Sequence, residues 1–344
     1  MTPPYTAPSM RAYHSQNNDI GYMQPHQLNP VIEPQFEAVN EYIINHLHSG
    51  VPLVEKIGHY IVESGGKRIR PLLVLLAANA AEYEGDQHIS LAAVIEFIHT
   101  ATLLHDDVVD NSELRRGNDT ANAKWGNAPS VLVGDFLYSR AFQIMVEIGS
   151  MEIMQVISNA TNIIAEGEVL QLLNAKNPDT TEDAYMQVIL GKTAMLFEAA
   201  TESGAILAGA NKDEQEALRL YGRHIGIAFQ IIDDVMDYLS SAEEMGKNVG
   251  DDLAEGKATL PLIHAMREGT EEQRQLIRQA IRKGGLDDLQ PIMDIVHATG
   301  SIDYSRNTAY AEADKAIKAL DALPDSSFKV TLTQLADLAV KRKN

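Results

Sequence analysis

The chain has 344 residues, a formal net charge of -20 and no cysteine. A negative field of this size repels nucleic acid and anionic lipid surfaces, which argues against a nucleic-acid partner. The lack of cysteine excludes disulfides and thiolate metal sites. Hydrophobic residues make up 45% of the chain and aromatic residues 6%, a composition that favours helices over a sheet sandwich. We therefore expect an all-α protein.

The first thirty residues are rich in Pro, Gln, Asn and Tyr and contain one Arg. They lack the features of a signal peptide or a mitochondrial transit peptide, and they can bury little apolar surface. No window reaches the roughly 18 uninterrupted apolar residues of a membrane span. We predict a flexible extension over residues 1–30, one domain over residues 31–344, no transmembrane segment and a cytoplasmic location.

From about Pro34 onwards, apolar residues recur at spacings of three and four, which predicts helices. Turn-forming runs such as Arg116-Gly117-Asn118 separate the apolar segments. The predicted helices cover residues 34–48, 52–64, 68–84, 90–110, 129–148, 151–174, 181–209, 213–240, 257–268, 271–283, 286–298, 302–322 and 325–341. The short connections between them predict a single helical bundle.

The fourth predicted helix carries the motif LLHDDVVD at residues 103–110. Asp106 and Asp110 are four residues apart and share one face, with Asp107 beside them. Three acidic residues within one turn repel each other, and Asp is unfavourable inside a helix. A bound cation would relieve this cost, but a solvated acidic patch also explains a single cluster.

A second apolar helix repeats the pattern in FQIIDDVMDY, with Asp233, Asp234 and Asp237. If the two helices face each other, the carboxylates of both clusters converge on one cavity. Oxygen donors without His or Cys suit Mg²⁺, which binds through a few carboxylates together with substrate phosphates. The pair of motifs therefore indicates a diphosphate substrate.

Positive charge that could bind phosphate is concentrated in GGKRIRP, residues 65–71, and in Arg115-Arg116. Lys67 and Arg70 can share a helical face. Arg offers phosphate a planar fork and Lys a point charge, and the two glycines allow close approach of the backbone. Ordinary surface charge is the alternative for the stretch from Lys67 to Arg70.

Several single residues are weaker candidates. His99 lies two turns before Asp106 and can reach the same cavity, although a lone His is more often a core residue. The GKT at residues 191–193 lacks the upstream glycine of a phosphate-binding loop, so we reject nucleotide binding. The remaining candidates are Lys192, Thr193, Gln230, Lys247 and Lys257.

Five motifs, in this order, resemble the trans-prenyltransferase (polyprenyl diphosphate synthase) family: GGKRIRP, LLHDDVVDNSELRRG, GKTAMLFEA, FQIIDDVMDY and GKNVGDDLAEGKATLPL. The resemblance covers roughly residues 35–343 and implies an isoprenoid synthase bundle around a central cavity. It also implies an enzyme that condenses isopentenyl diphosphate with an allylic diphosphate such as farnesyl diphosphate. Within the family the chain is most similar to octaprenyl and related long-chain synthases of bacterial type, which make quinone side chains such as that of ubiquinone. A homodimer and roughly three Mg²⁺ ions per diphosphate-bound site are further implications.

The resemblance also assigns roles to individual residues. The Mg²⁺ ligands would be Asp106, Asp110, Asp233 and Asp237, with Asp107 and Asp234 as supports. The diphosphate of isopentenyl diphosphate would be held by Lys67, Arg70, His99 and Arg116. The allylic diphosphate would be held by Arg115, Lys192, Lys247 and Lys257. Thr193 and Gln230 match positions whose oxygens face the allylic cation and, with Lys192, form the predicted catalytic group.

Product length depends on how far a growing chain can run between the helices, at about one isoprene unit per helical turn of roughly 5.4 Å. Thr102 and Ala101, four and five residues before Asp106, are small, whereas short-chain relatives place bulky aromatics there. We therefore predict a long product, octaprenyl diphosphate, whose release involves transient membrane contact. Candidates for a deeper floor are Phe142, Met145 and Met154, although ordinary core packing also explains these three.

Three other functions would share part of this pattern. A farnesyl or geranylgeranyl diphosphate synthase would carry the same motifs with a shorter cavity. A class I terpene cyclase would carry an Asn/Ser/Glu type of second motif and no basic site for a second diphosphate, whereas this sequence has the opposite of both. A non-catalytic subunit of a heteromeric synthase would carry degraded aspartates, whereas both clusters are intact here.

Overall fold

A computed structural model describes residues 29–239 and 250–341. In these residues the α-helices are α1 (Ile32–His46), α2 (Pro52–Glu63), α3 (Ile69–Ala80), α4 (Gln87–Val109), α5 (Ala121–Trp125), α6 (Asn127–Ile148), α7 (Met151–Asn174) and α8 (Glu182–Ile189). They continue with α9 (Met195–Leu207), α10 (Lys212–Met236), α11 (Asp251–Ala254), α12 (Leu260–Glu268), α13 (Glu271–Lys283), α14 (Leu289–Ala298), α15 (Ser301–Ala319) and α16 (Ser327–Lys341). A hairpin of β1 (Leu114–Arg115) and β2 (Asn118–Asp119) is the one sheet in the described part. The prediction of an all-α bundle is confirmed.

Side-chain caps fix the starts of the helices that surround the site. The hydroxyl of Ser150 accepts from the backbone N–H of Ile153 at the start of α7. Asn211 and Glu214 form a reciprocal capping box at the start of α10. Each cap satisfies backbone donors that a helix start leaves unpaired. These polar residues explain why the predicted helix starts lie close to the observed ones.

The core lies between α3, α4, α9 and α10. Helix α4 packs along α6, and α9 packs against both α3 and α10. The α3 residues from Leu73 to Ala77 are fully buried. A Cβ atom on Gly204 of α9 would lie 2.9 Å from the carbonyl oxygen of Val74, so the lack of a side chain there allows the two helices to touch. The ends of these helices carry the motifs that the sequence singles out.

The predicted single helix over residues 181–209 is interrupted, since a π-helical turn at Leu190–Ala194 separates α8 from α9. Two neighbouring helices approach this turn closely. A Cβ on Gly167 of α7 would lie 2.8 Å from the backbone nitrogen of Lys192, and one on Gly226 of α10 would lie 2.7 Å from Cα of Ala194. The wider turn thus fits between two glycine positions, and such turns are frequent at functional sites.

The predicted turn at Arg116-Gly117-Asn118 is confirmed as the tip of the hairpin. Arg116 and Gly117 have positive φ values of 53° and 76°, as in the turn that joins two antiparallel strands through two residues. The flanking strands, with two residues each, are too short to show a periodic pattern. Helices α5 and α11, with five and four residues, are also too short to show a periodic pattern.

Helix α4 passes a test of length and composition for a membrane span, with a mean hydropathy of 1.2. However, 61% of the tested window is buried inside the protein, and α4 packs against α3 and α6. A core helix of a bundle has the same properties, so this one helix is weak evidence for a span.

The described chain begins inside the fold. Asn29 is 3% exposed, and its amide donates to the hydroxyl of Thr331 on α16 at 3.2 Å. Residues 1–28 lie outside the described residues, so the boundary at residue 30 stays a prediction.

Candidate active site

The first acidic cluster lies at the carboxyl end of α4, where Lys192 of the π turn reaches it. The ammonium of Lys192 lies 3.4 Å from an oxygen of Asp106 and 2.7 Å from an oxygen of Glu168 on α7. Burial raises the pKa of both carboxyls, and the charge of Lys192 opposes that rise. One lysine therefore balances two buried carboxylates from different helices.

Lys257 lies between the two acidic clusters. Its ammonium lies 3.7 Å from Asp110 and also pairs with Glu255. Burial lowers the pKa of Lys257, but the charges of Asp252, Asp110 and Glu255 outweigh that effect and raise the pKa above its ordinary value. The backbone N–H of Asp252 donates in turn to an oxygen of Asp237 in the second cluster, at 3.2 Å. The carboxyl end of α4 and the second cluster therefore meet around Lys257.

Asp107 has a different partner from Asp106. Its carboxylate is fully buried and accepts from Nε of Arg115 at 2.9 Å and from Nη2 at 2.7 Å. Its backbone oxygen accepts from the amide of Asn122 on α5. Asp107 thus holds the hairpin, and with it Arg115, against the end of α4.

The three aspartates of the second cluster differ in exposure. Asp233 is exposed, whereas Asp234 and Asp237 are 4% and 5% exposed. The oxygens of Asp237 accept from three consecutive backbone N–H groups, those of Gly250, Asp251 and Asp252, at 3.1 to 3.2 Å. Burial and the charge of Asp252 raise the pKa of Asp237 to about 8. Asp237 caps α11, and Asp233 is the carboxylate that the cluster presents outwards.

Asp234 is the centre of a chain of hydrogen bonds. One oxygen accepts from the phenol of Tyr185 at 2.6 Å, and the other accepts from the amide nitrogen of Gln230 at 2.7 Å. The amide oxygen of Gln230 accepts from the hydroxyl of Thr193 at 2.9 Å. Burial and Asp252 raise the pKa of Asp234 well above its usual range, and the two donors favour the ionised form. This chain joins α8, the π turn and α10.

The basic candidates form a second group next to the acidic clusters. The guanidinium of Arg70 lies 3.1 Å from Nε2 of His99 and 4.5 Å from the ring centre of Phe197. Burial, reinforced by the charges of Arg70 and Arg116, holds the pKa of His99 well below its ordinary value. His99 is therefore neutral and accepts from Arg70. The charge of Asp233 also acts on Arg70, so the basic group borders the second cluster.

The glycine turn before α3 brings Arg116 into this group. A Cβ on Gly66 would lie 2.6 Å from Nη1 of Arg116, and Lys67 follows in the same turn. Below them lies Glu96, whose pKa is raised by burial and lowered again by Arg68, Arg70 and Arg116. One buried carboxylate thus offsets part of the charge of several arginines.

The two positions predicted to control product length lie on α4, and the candidates for a deeper floor lie on α6 and α7. Ala101 is fully buried, and the hydroxyl of Thr102 donates to the backbone oxygen of His99. Met145 is buried, and Phe142 and Met154 are partly buried against the main core, as ordinary core residues are.

Lys247, a predicted ligand of the allylic diphosphate, lies outside the described residues.

Within residues 29–239 and 250–341, no three His, Asp or Glu side chains meet closely enough to hold a metal ion by themselves. Lysines lie beside the carboxylates instead, as at Asp106 and Asp110. The donors are carboxylate oxygens, which are the ligands that Mg²⁺ prefers, and substrate phosphates supply its other ligands. The residues therefore fit Mg²⁺ in their chemistry.

Four residues of this site were absent from the candidates drawn from the sequence: Glu96, Glu168, Tyr185 and Asp252. A sequence signal existed for two of them. Glu96 is one turn before His99, and Asp252 lies inside the motif GDDLAEGK. No local pattern marks Glu168 or Tyr185, because each meets its partner only through packing of distant segments.

The profile of the Polyprenyl synthetase family matches residues 51–296. The octaprenyl diphosphate synthase of Escherichia coli (strain K12) is 54% identical over 321 residues, covering 93% of this chain and 99% of that protein. The all-trans-nonaprenyl-diphosphate synthase (geranyl-diphosphate specific) of Rhodobacter capsulatus is 50% identical, covering 92% and 97%. The crystal structure of polyprenyl synthase from Caulobacter crescentus CB15, complexed with calcium and isoprenyl diphosphate, superposes with a TM-score of 0.90 at 42% identity, covering 93% of this chain and 98% of that one. The chain belongs to the polyprenyl synthetase family.

Proposed function

We propose that this chain is a Mg²⁺-dependent trans-prenyltransferase that extends an allylic diphosphate with isopentenyl diphosphate to octaprenyl diphosphate. The observation that carries the proposal is Lys257, which lies 3.7 Å from Asp110 and close to Asp252, whose backbone N–H donates to Asp237 of the second cluster. Two acidic motifs that are far apart in sequence therefore serve one site. The identity with octaprenyl diphosphate synthases supports the eight-unit product.

The acidic and basic groups divide the two substrates between them. In the proposal, Asp106, Asp110 and Asp233 hold roughly three Mg²⁺ ions on the allylic diphosphate. Asp237 joins them through the lone pair that its three backbone hydrogen bonds leave free. The other groups that hold the allylic diphosphate are Arg115, Lys192, Lys257 and, from the resemblance, Lys247. The diphosphate of isopentenyl diphosphate is held by Lys67, Arg70, His99 and Arg116.

The reaction begins with departure of the allylic diphosphate, which leaves an allylic cation that the isopentenyl double bond attacks. Bound Mg²⁺ would supply the positive charge that stabilises the departing diphosphate. Lys192 and Lys257 add ammonium groups at the same place, and the oxygens of Thr193 and Gln230 face the cation as fixed dipoles. The final proton goes to the released diphosphate, so no side-chain base is required.

The proposed product also suggests a biological setting. An octaprenyl chain serves as the side chain of a quinone, which implies a cytoplasmic enzyme with transient membrane contact at product release. We also propose a homodimer through α6 and α7, which expose Leu132 (65%), Val146 (68%), Met151 (77%) and Leu173 (73%). Concentrated exposed apolar side chains are typical of protein interfaces.

A product assay tests the proposal. The purified chain is incubated with Mg²⁺, isopentenyl diphosphate and farnesyl diphosphate, and the dephosphorylated products are sized by mass. We expect products of eight units that disappear in Asp106→Asn and Asp233→Asn, whereas Glu216→Gln, at an exposed ion pair on α10, retains them. Products of three or four units would contradict the long cavity, and no elongation with any allylic primer would favour a non-catalytic subunit.

A further inference from the structure

Tyr185 lies outside every motif, yet its phenol makes a 2.6 Å hydrogen bond to Asp234 of the second acidic cluster. Tyr185 is 5% exposed and Asp234 is 4% exposed. The bond joins α8 to α10 across 49 positions of sequence. A buried tyrosine hydroxyl needs a partner, but a backbone carbonyl would serve as well, so the choice of this carboxylate calls for an explanation.

The direction of the hydrogen bonds explains why Tyr185 pairs with this carboxylate. Tyr185 donates to one oxygen of Asp234, and that carboxylate accepts from the amide nitrogen of Gln230 with the other. With its nitrogen committed to Asp234, the amide of Gln230 must point its oxygen the other way. That oxygen accepts the only hydrogen of the Thr193 hydroxyl, at 2.9 Å.

The result is a pair of oxygens that have no hydrogen left to offer. Gln230 Oε1 and Thr193 Oγ1 each retain lone pairs after these bonds form. Both therefore present negative ends of dipoles, and their orientation is fixed before substrate binds. Preorganised dipoles of this kind stabilise positive charge that develops in a transition state, because they need not reorient during the reaction.

We infer that Tyr185 is a positioning residue for the condensation: through Asp234 and Gln230 it turns the oxygens of Gln230 and Thr193 towards the allylic cation. The inference rests on the proposed prenyl transfer at this site. Tyr185 itself touches no reacting atom. Without its hydroxyl, the carboxylate of Asp234 can rotate, and the amide of Gln230 is no longer held in one orientation.

The test compares Tyr185→Phe with Tyr221→Phe. Tyr221 is a matched control, because its buried phenol also makes one hydrogen bond, at 2.7 Å, but to the backbone oxygen of Leu332 on α16. We expect Tyr185→Phe to lower the single-turnover rate of the first condensation about tenfold, less than loss of a direct charge-stabilising donor. The KM for isopentenyl diphosphate, which is set by the basic group of Lys67, Arg70, His99 and Arg116, should stay unchanged. Tyr221→Phe should change neither quantity.

A second pair of variants tests the direction of the chain and decides the question if Tyr185→Phe does not fold. Asp234→Asn offers only one oxygen to the two donors. When that oxygen accepts from Tyr185, the amide nitrogen faces Gln230, so the Gln230 amide turns round, a donor replaces the acceptor and the rate falls. The double variant Asp234→Asn, Gln230→Glu has the net charge of the wild type and again places an acceptor next to Thr193. Its rate should be higher than that of Asp234→Asn alone.

Either of two results would overturn the inference: equal rates for Tyr185→Phe and Tyr221→Phe, or a double variant no faster than Asp234→Asn. Both comparisons are made against a wild-type chain that elongates. Absence of elongation in the wild type would refute the proposed function instead, so the two failures are distinguishable.

Discussion

His99 is a histidine that the fold keeps neutral. Burial and the charges of Arg70 and Arg116 hold its pKa well below the ordinary value of 6.5. Below about pH 6.5, His99 binds a proton in the unfolded chain but stays unprotonated in the folded chain. Its contribution to stability is therefore complete above pH 6.5 and is lost as the pH falls.

Replacing His99 by Gln removes the titrating group and should make the free energy of unfolding less dependent on pH between about 7.5 and 5.5. The difference in slope is at most about 1.4 kcal/mol per pH unit, which corresponds to one proton. Urea unfolding at several pH values without substrate measures it. His48→Gln, at a side chain that is 81% exposed, serves as the control. Equal slopes for wild type and His99→Gln would contradict the prediction.

The chemical types of the site residues could be read from the sequence, but their partners could not. Spacing of four places Asp106 and Asp110 on one face, and the structure keeps them at the end of one helix. Spacing does not reveal that Asp107 turns away to Arg115, or that Asp237 caps α11. Such assignments depend on which neighbour offers a donor, and that is set by tertiary packing.

The π turn at Leu190–Ala194 is a secondary-structure element that the sequence pattern did not predict. Apolar periodicity predicted the long helices, because each buries a continuous stripe. The stripe through residues 181–209 continues across the turn, so the extra residue leaves little trace in the pattern. The close approach of α7 and α10 to the turn, at two glycines, is a tertiary contact that the local pattern does not contain.

A Cβ at Gly167 should therefore disturb the site more than the helix that carries it. Gly167→Ala would place that atom 2.8 Å from the backbone nitrogen of Lys192, and α7 would have to move away from the turn. We expect a loss of about 1–3 kcal/mol in the free energy of unfolding, typical of overpacking, together with a fall in kcat. Urea unfolding and steady-state kinetics measure the two effects.

Gly58→Ala on α2 is the matched control, because its Cβ would meet only the flexible end of Leu47 at 3.1 Å. There the gain in helix propensity, about 1 kcal/mol, should offset the contact. A Gly167→Ala protein as stable and as active as Gly58→Ala would show that the close approach does not fix the turn.

The surface of the whole molecule carries its exposed apolar side chains unevenly. On α6 and α7 these include Val131, Leu132, Val146, Met151, Val169, Leu172 and Leu173. An isologous dimer would bury each of these twice, once on either protomer. The proposed homodimer therefore depends on side chains that contribute nothing to the core of one protomer.

The paired substitution Leu132→Glu and Leu173→Glu should shift the protein from dimer to monomer, because it would bury four like charges in a two-fold interface. Light scattering after size-exclusion chromatography measures the mass. Val330→Glu, on α16 at 56% exposure, should leave the mass unchanged. A wild-type chain that elutes as a monomer would refute the proposed interface.

Lys192 and Lys257 also couple the binding of metal to the binding of diphosphate. Each ammonium is already paired with carboxylates from within the chain. A Mg²⁺ ion arriving alone must compete with these tethered cations, and a diphosphate arriving alone meets lysines that are already engaged. When both arrive together, the ammonium groups pass to phosphate while the carboxylates pass to metal, and the charge stays balanced. Half-loaded complexes are therefore disfavoured, and metal and allylic diphosphate strengthen each other's binding by the same factor.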